Sequence, residues 1–169
     1  MITTSPPLWK KPSPGKQDMR TPRWLFERLS YCFGPFALDA AASAENALCS
    51  KFFDGSTPNL DGLLAPWIDV TFCNPPFRDA GEWVRKAIAE AKRGARSVLI
   101  VPVGCSQSWW HEAAAHATIF YPTKRISFDL PDGTPTTGAD RDTLILIFDS
   151  GQERVTDFAG WSFDVRGEP

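Results

Sequence analysis

An α/β domain built on an open, mostly parallel sheet is what this sequence predicts, and three consecutive stretches predict it. Asp69-Val70-Thr71-Phe72-Cys73 is a run of β-favouring residues cut off by Asn74-Pro75-Pro76-Phe77. Proline cannot donate to a ladder, so the strand ends there. The clearest helix follows: Trp83, Val84, Ala87, Ile88 and Ala91 share one apolar stripe, Asp79 and Glu82 stand at capping-box spacing, and Gly94 closes it. Residues 97–103 are then apolar without alternation, as expected of a parallel strand covered on both faces. Strand, loop, amphipathic helix and buried strand make a right-handed crossover. Asn74 to Phe77 therefore fall at the carboxyl end of a strand, where open sheets bind ligands.

The other elements fit around this unit. Residues 1–19, rich in proline and lysine, read as an extended arm, either a loose tail or a phosphate-contacting one. Thr21-Pro22 reads as a helix start, with Thr21 as N-cap and Pro22 at the first helical position; Gly34-Pro35 stops that helix. Phe36-Ala37-Leu38-Asp39 reads as a short buried strand ending in a carboxylate. The small residues Ala40-Ala41-Ala42-Ser43 after it would let a ligand approach the backbone, or make an ordinary strand-to-helix turn. Asp61-Gly62-Leu63, taken alone, is a turn. A helix from Ser106 or Ser108 carries Trp109, Trp110 and His111, and strands are expected at 119–121 and 143–148. The domain spans residues 20–150, and residues 151–169 read as a polar tail.

With 169 residues, 43% of them hydrophobic, the chain has the composition of a single soluble domain with a sizeable core. The net charge of −2 creates no global basic field. Cys32, Cys49, Cys73 and Cys105 form no close pair, which suits a reduced, cytosolic chain. No segment approaches a membrane span, and the N-terminus has no apolar signal core. A metal site is not expected: His111 and His116 would point to different faces of a helix, and no cysteine pair assists them. A G-x-S-x-G nucleophile elbow is missing too.

The Asn74 loop carries the chemistry. Asn74 and Pro75 both precede a proline and are pushed toward extended backbone, so the loop is stiff. It would hold two acceptors in place, the Asn74 side-chain oxygen and the Pro75 carbonyl, beside the Phe77 ring. The exocyclic amine of adenine is a poor nucleophile because its lone pair is delocalised into the ring. Two acceptors on its protons would localise that pair, while an aromatic face holds the flipped base. The plainer reading is a strand-ending turn.

Asn74-Pro75-Pro76-Phe77 resembles the [Asp/Asn/Ser]-Pro-Pro-[Tyr/Phe/Trp] tetrapeptide of the amino-group DNA methyltransferases. Its neighbours sharpen the likeness. Thr21-Pro22-x-x-Leu25-Phe26, Leu38-Asp39-Ala40-Ala41-Ala42-Ser43-x-Glu45-Asn46 and Asp61-Gly62-Leu63 join it in resembling the phage-type DNA N-6-adenine methyltransferases. Trp109-Trp110-His111 and Lys124 to Phe128 fit as well, so the likeness covers roughly residues 20–148. The resemblance implies a Rossmann-like sheet with helices on both faces, S-adenosylmethionine as cofactor and DNA as partner. It also implies a phage or prophage protein in the cytoplasm of a bacterial host.

By the same resemblance Thr21 and Pro22 would touch the methionine end of the cofactor. Asp39, Ala40 and Ala41 would line its pocket, and Asp61 would lie near its adenine or the reacting centre. Asn74, Pro75, Pro76 and Phe77 would hold the target base. Two departures stand out: alanines replace the usual glycines after Asp39, and position 77 is Phe rather than the commoner Tyr. Between Asp39 and Asn74 there is no room for a separate recognition domain. DNA contact would then fall to Lys124, Arg125 and Trp110, with the loop from Asp129 to Arg141. Arg125 would otherwise cap the sheet, and one of Trp109 and Trp110 would be core. A non-catalytic nucleic-acid-binding module of the same fold stays open, as does amino-group methylation of RNA or of cytosine N4.

Overall fold

The computed structural model describes residues 19–136 and 141–151, and the main chain of 156–161. The expected arm therefore lies almost wholly outside the described residues, as does part of the loop before Arg141. Six strands form one sheet: β1 (Leu38–Asp39), β2 (Val70–Cys73), β3 (Arg96–Pro102), β4 (Thr118–Pro122), β5 (Thr143–Phe148) and β6 (Thr156–Trp161). Their order is β1-β2-β3-β5-β4-β6. Pairings β1–β2, β2–β3 and β4–β6 are parallel, and β5 is antiparallel to both its neighbours. Five strands thus share a direction and β5 alone opposes them, which is the mostly parallel α/β sheet expected.

Helices cover both faces because the strand side chains alternate. Val98, Ile100, Ile145 and Ile147 point to one side, where α1 (Arg23–Phe33) lays down Leu25, Phe26 and Leu29. Leu99, Val101, Leu144 and Leu146 point to the other, under α2 (Ala80–Lys92) and α3 (Ser108–His116). The α2 stripe of Trp83, Val84, Ala87 and Ile88 is buried there as its spacing predicts. At about 25 cal/mol per Å² of apolar surface, these doubly covered strands are a main source of stability. Among the described residues no helix is long and apolar enough to cross a membrane.

Four expectations need correction. Thr21 does not cap α1: Pro22 is the N-cap residue, without a side-chain cap, and the Thr21 hydroxyl is engaged elsewhere. The capping box before α2 does not form either. Asp79 occupies the N-cap position without capping a backbone amide, and its carboxylate meets the Arg78 Nε at 3.3 Å instead. The first strand is two residues long rather than four, because Ala37 reaches β2 through a single bond to the Val70 carbonyl. Residues 156–161 are not tail but β6, which adds to the sheet by main-chain pairing with β4. A short segment containing Gly160 carries little strand signal of its own.

Candidate active site

The parallel pair β1–β2 ends with Asp39 in register with Phe72, so Asp39 and Asn74 emerge from the same edge of the sheet. A cavity of about 710 Å³ opens there. Its walls include Thr21, Asp39, Ala40, Ala41, Asp61, Asn74 and Pro76, residues drawn from four separate stretches of the chain. Pro22, Pro75, Phe77, Trp110, Lys124 and Arg125 are not among its lining residues.

The Asp39 side of the cavity is built by backbone pairing. The Asp39 amide donates to the Lys51 carbonyl at 3.0 Å and its carbonyl accepts from Phe53 at 2.9 Å, so a second segment flanks β1 opposite β2. Ala40 donates to Phe72 and Ala42 to Phe53, which fixes the small-residue turn. The Asp39 side chain is 3% exposed; its Oδ2 accepts from the Leu48 amide at 3.1 Å and its Oδ1 more weakly from Ala41 at 3.5 Å. Burial raises its pKa from 3.8 to about 6 despite those two amides. Burial and the nearby Asp39 charge push the Cys49 thiol up to about 12 and the buried Cys73 thiol upward too. Neither cysteine is therefore a nucleophile near neutral pH.

Asp61-Gly62-Leu63 is more than a turn. Asp61 Oδ1 accepts from the Leu63 amide at 2.8 Å, and the Gly62 carbonyl accepts from the Trp67 indole at 2.7 Å. A Cβ on Gly62 would collide with the Ala40 carbonyl and the Trp83 ring, so only glycine lets this loop close against the Asp39 turn. Local spacing gave no hint of it, because Ala40 and Trp83 are distant in sequence.

On the other side, Asn74 leaves β2 with its amide held from afar. Its Nδ2 donates to the Thr21 hydroxyl at 3.0 Å. Its Oδ1 is buried and has no hydrogen-bond donor. An unsatisfied buried acceptor costs about 1–3 kcal/mol. Phe77 opens a single 3-10 turn, Phe77–Asp79. Phe128 meets its ring edge-on at 5.7 Å, and the Arg141 guanidinium lies over it at 5.8 Å.

Sequence reasoning missed Arg20 and Arg78, which line the cavity; the only signal was that they directly flank the Thr21 and Phe77 motifs. Arg141, at the end of the loop expected to contact DNA, lies over Phe77. Trp110, Lys124 and Arg125 do not line the cavity. Trp109 is buried, Trp110 packs partly buried against it at 6.2 Å, and Arg125 pairs with Asp142 at 2.8 Å on the surface.

The cavity suits a small cationic molecule. Its size falls within the range of about 300–1,000 Å³ usual for small-molecule sites. Six carboxylate residues, Asp39, Glu45, Asp54, Asp61, Asp79 and Glu82, line it against two guanidiniums, Arg20 and Arg78. S-adenosylmethionine, with a sulfonium, an ammonium and one carboxylate, matches that balance, and the small residues after Asp39 leave room for it.

A Rossmann-like sheet with its cavity at the carboxyl ends of adjacent parallel strands is consistent with the architecture of a methyltransferase domain. Comparison with known proteins takes this further: the DNA N-6-adenine-methyltransferase (Dam) family matches residues 10–159, and the chain belongs to that family. A DNA N-6-adenine-methyltransferase of Escherichia phage T1 is 32% identical over 100 residues. That match covers 57% of this chain and 40% of the phage protein, less than half of that relative's length.

Proposed function

We propose that this protein methylates the exocyclic N6 amine of adenine in DNA, with S-adenosylmethionine as methyl donor. The observation that carries the reading is the Asn74 Oδ1: a buried acceptor without a donor, on a residue that lines the cavity. When bound, the cofactor supplies an electrophilic methyl group. Asp39, the alanines after it and Asp61 would hold it. Thr21 and Pro22 keep their expected place near its methionine end as a proposal.

Asn74 then acts on the amine. Its oxygen takes one N6 proton in a hydrogen bond and the Pro75 carbonyl the other, which localises the nitrogen lone pair for attack. A bound cofactor would supply the methyl group that this lone pair receives. An amide is too weakly basic to remove the proton, so the proton leaves to water once the new bond has made the nitrogen acidic. Phe77 stacks on the flipped base, which takes the place of the Arg141 guanidinium over that ring. The acid-lined cavity repels phosphate, so DNA backbone contacts belong at its rim. Arg20, Arg78 and Arg141 are suited to that, with Lys124, Arg125 and Trp110 farther out.

Incubation with methyl-labelled S-adenosylmethionine and unmethylated duplex DNA, followed by nucleoside mass spectrometry, tests the reading. Labelled N6-methyladenine is expected. Label in cytosine, in RNA alone or nowhere would replace it with one of the open alternatives.

A further inference from the structure

Building on that function, we infer that Thr21 is a positioning residue for Asn74: its hydroxyl anchors the Asn74 amide so that the oxygen is kept for the target amine. An asparagine amide has two unlike ends and a broad terminal torsion, so nothing within the side chain decides between acceptor and donor. Turned over, Asn74 would offer two N–H donors to an incoming amine that is itself a donor. Here the Thr21 hydroxyl accepts from Nδ2 at 3.0 Å, which ties that end of the amide down, while the oxygen is buried and unpaired.

Thr21 is well placed to impose this. It is 8% exposed, and the residues on each side of it are pinned. Arg20 exchanges main-chain bonds of 2.8 and 2.9 Å with Asp129, while the Pro22 carbonyl accepts from Leu25 and Phe26 at the start of α1. The hydroxyl thus belongs to a rigid frame and reaches a loop 53 positions away. Asp129 also bridges to Pro135, so residues 129–135 are tied to the same frame.

The test compares the parent with Thr21→Val, close to isosteric but without a hydroxyl, and Thr21→Ser, which keeps it. Two readouts are needed: solvent exchange of the Asn74 side-chain amide protons by NMR, and single-turnover methylation at saturating S-adenosylmethionine. Thr21→Val should speed that exchange at least tenfold and slow methylation at saturating S-adenosylmethionine at least tenfold, beyond any change in cofactor affinity. Thr21→Ser should restore both and shows that the position tolerates substitution. Exchange unchanged by Thr21→Val overturns the inference. So does a Thr21→Val variant that methylates at the parent rate when saturated, which would leave Thr21 with only its place at the cofactor's methionine end. A parent that makes no N6-methyladenine defeats the functional reading instead, and the exchange rates still decide whether Thr21 holds the amide.

Discussion

Strands β1 and β2 end side by side, and the polar groups at their ends are satisfied in opposite ways. Asp39 is enclosed by its own neighbourhood: two backbone amides from the following turn serve its carboxylate, and burial leaves it poised near pH 6. Asn74 is served by a hydroxyl from far along the chain on one end and by nothing on the other. A charge held by local amides suits steady binding of a cation. An amide held at one end and unpaired at the other suits a contact made only while a reaction proceeds.

The sharpest way to break that contrast is to remove the unpaired acceptor. Asn74→Ala should lower the single-turnover methylation rate by about a hundredfold or more, the scale of one lost transition-state contact. Asn74→Asp, which still offers an acceptor, should keep part of that rate. Equal losses in the two variants would mean that an acceptor at this position is not what sets the rate.

Next in size is the stability cost at Asp39. Its folded pKa is raised, so this group's favourable contribution is complete below pH 3.8 and lost as pH rises through about 6. At 1.36 kcal/mol per unit, the buried charge costs the fold up to about 3 kcal/mol above that range. Asp39→Asn should therefore gain stability over the parent as pH rises from 4 to 7, measured by urea unfolding, while S-adenosylmethionine affinity drops. A stability gap independent of pH would mean that the carboxylate is not strained by burial. In the parent, affinity for the cationic cofactor should weaken below pH 6 as Asp39 takes up its proton.

Phe77→Ala comes third. Losing one base stack should weaken capture of the flipped adenine by about 1–3 kcal/mol, read from DNA affinity with a fluorescent adenine analogue at the target position. Cofactor affinity should not move. The smallest effect belongs to Arg125→Ala, because that side chain is exposed and already paired with Asp142. A phosphate contact would appear as a salt-dependence slope lower by about one. An unchanged slope leaves Arg125 as a surface partner of Asp142.

The two strand ends also differ in how much the sequence reveals. The Asp39 turn was legible because its parts are contiguous: a strand residue, a carboxylate, then four small residues. The α2 stripe and the unbroken apolar run of β3 were legible for the same reason, since periodicity is a local property. Thr21 was read as a helix cap because Thr-Pro fits that role locally, and its real partner lies beyond any window of periodicity. Gly62 looked like one turn glycine among others, since the Ala40 carbonyl and Trp83 ring that require it come from other elements. Strand β6 escaped notice because an edge segment joined through its main chain needs no strong pattern.

One crossed measurement tests most directly the division of labour between the two ends: cofactor affinity and saturated single-turnover methylation, determined together for Asp39→Ala and Asn74→Ala. The account predicts that Asp39→Ala binds S-adenosylmethionine weakly but recovers much of the parent rate once saturated. Asn74→Ala should bind it normally and stay slow at any concentration. Asn74→Ala methylating adenine at the parent rate would contradict the account at its centre.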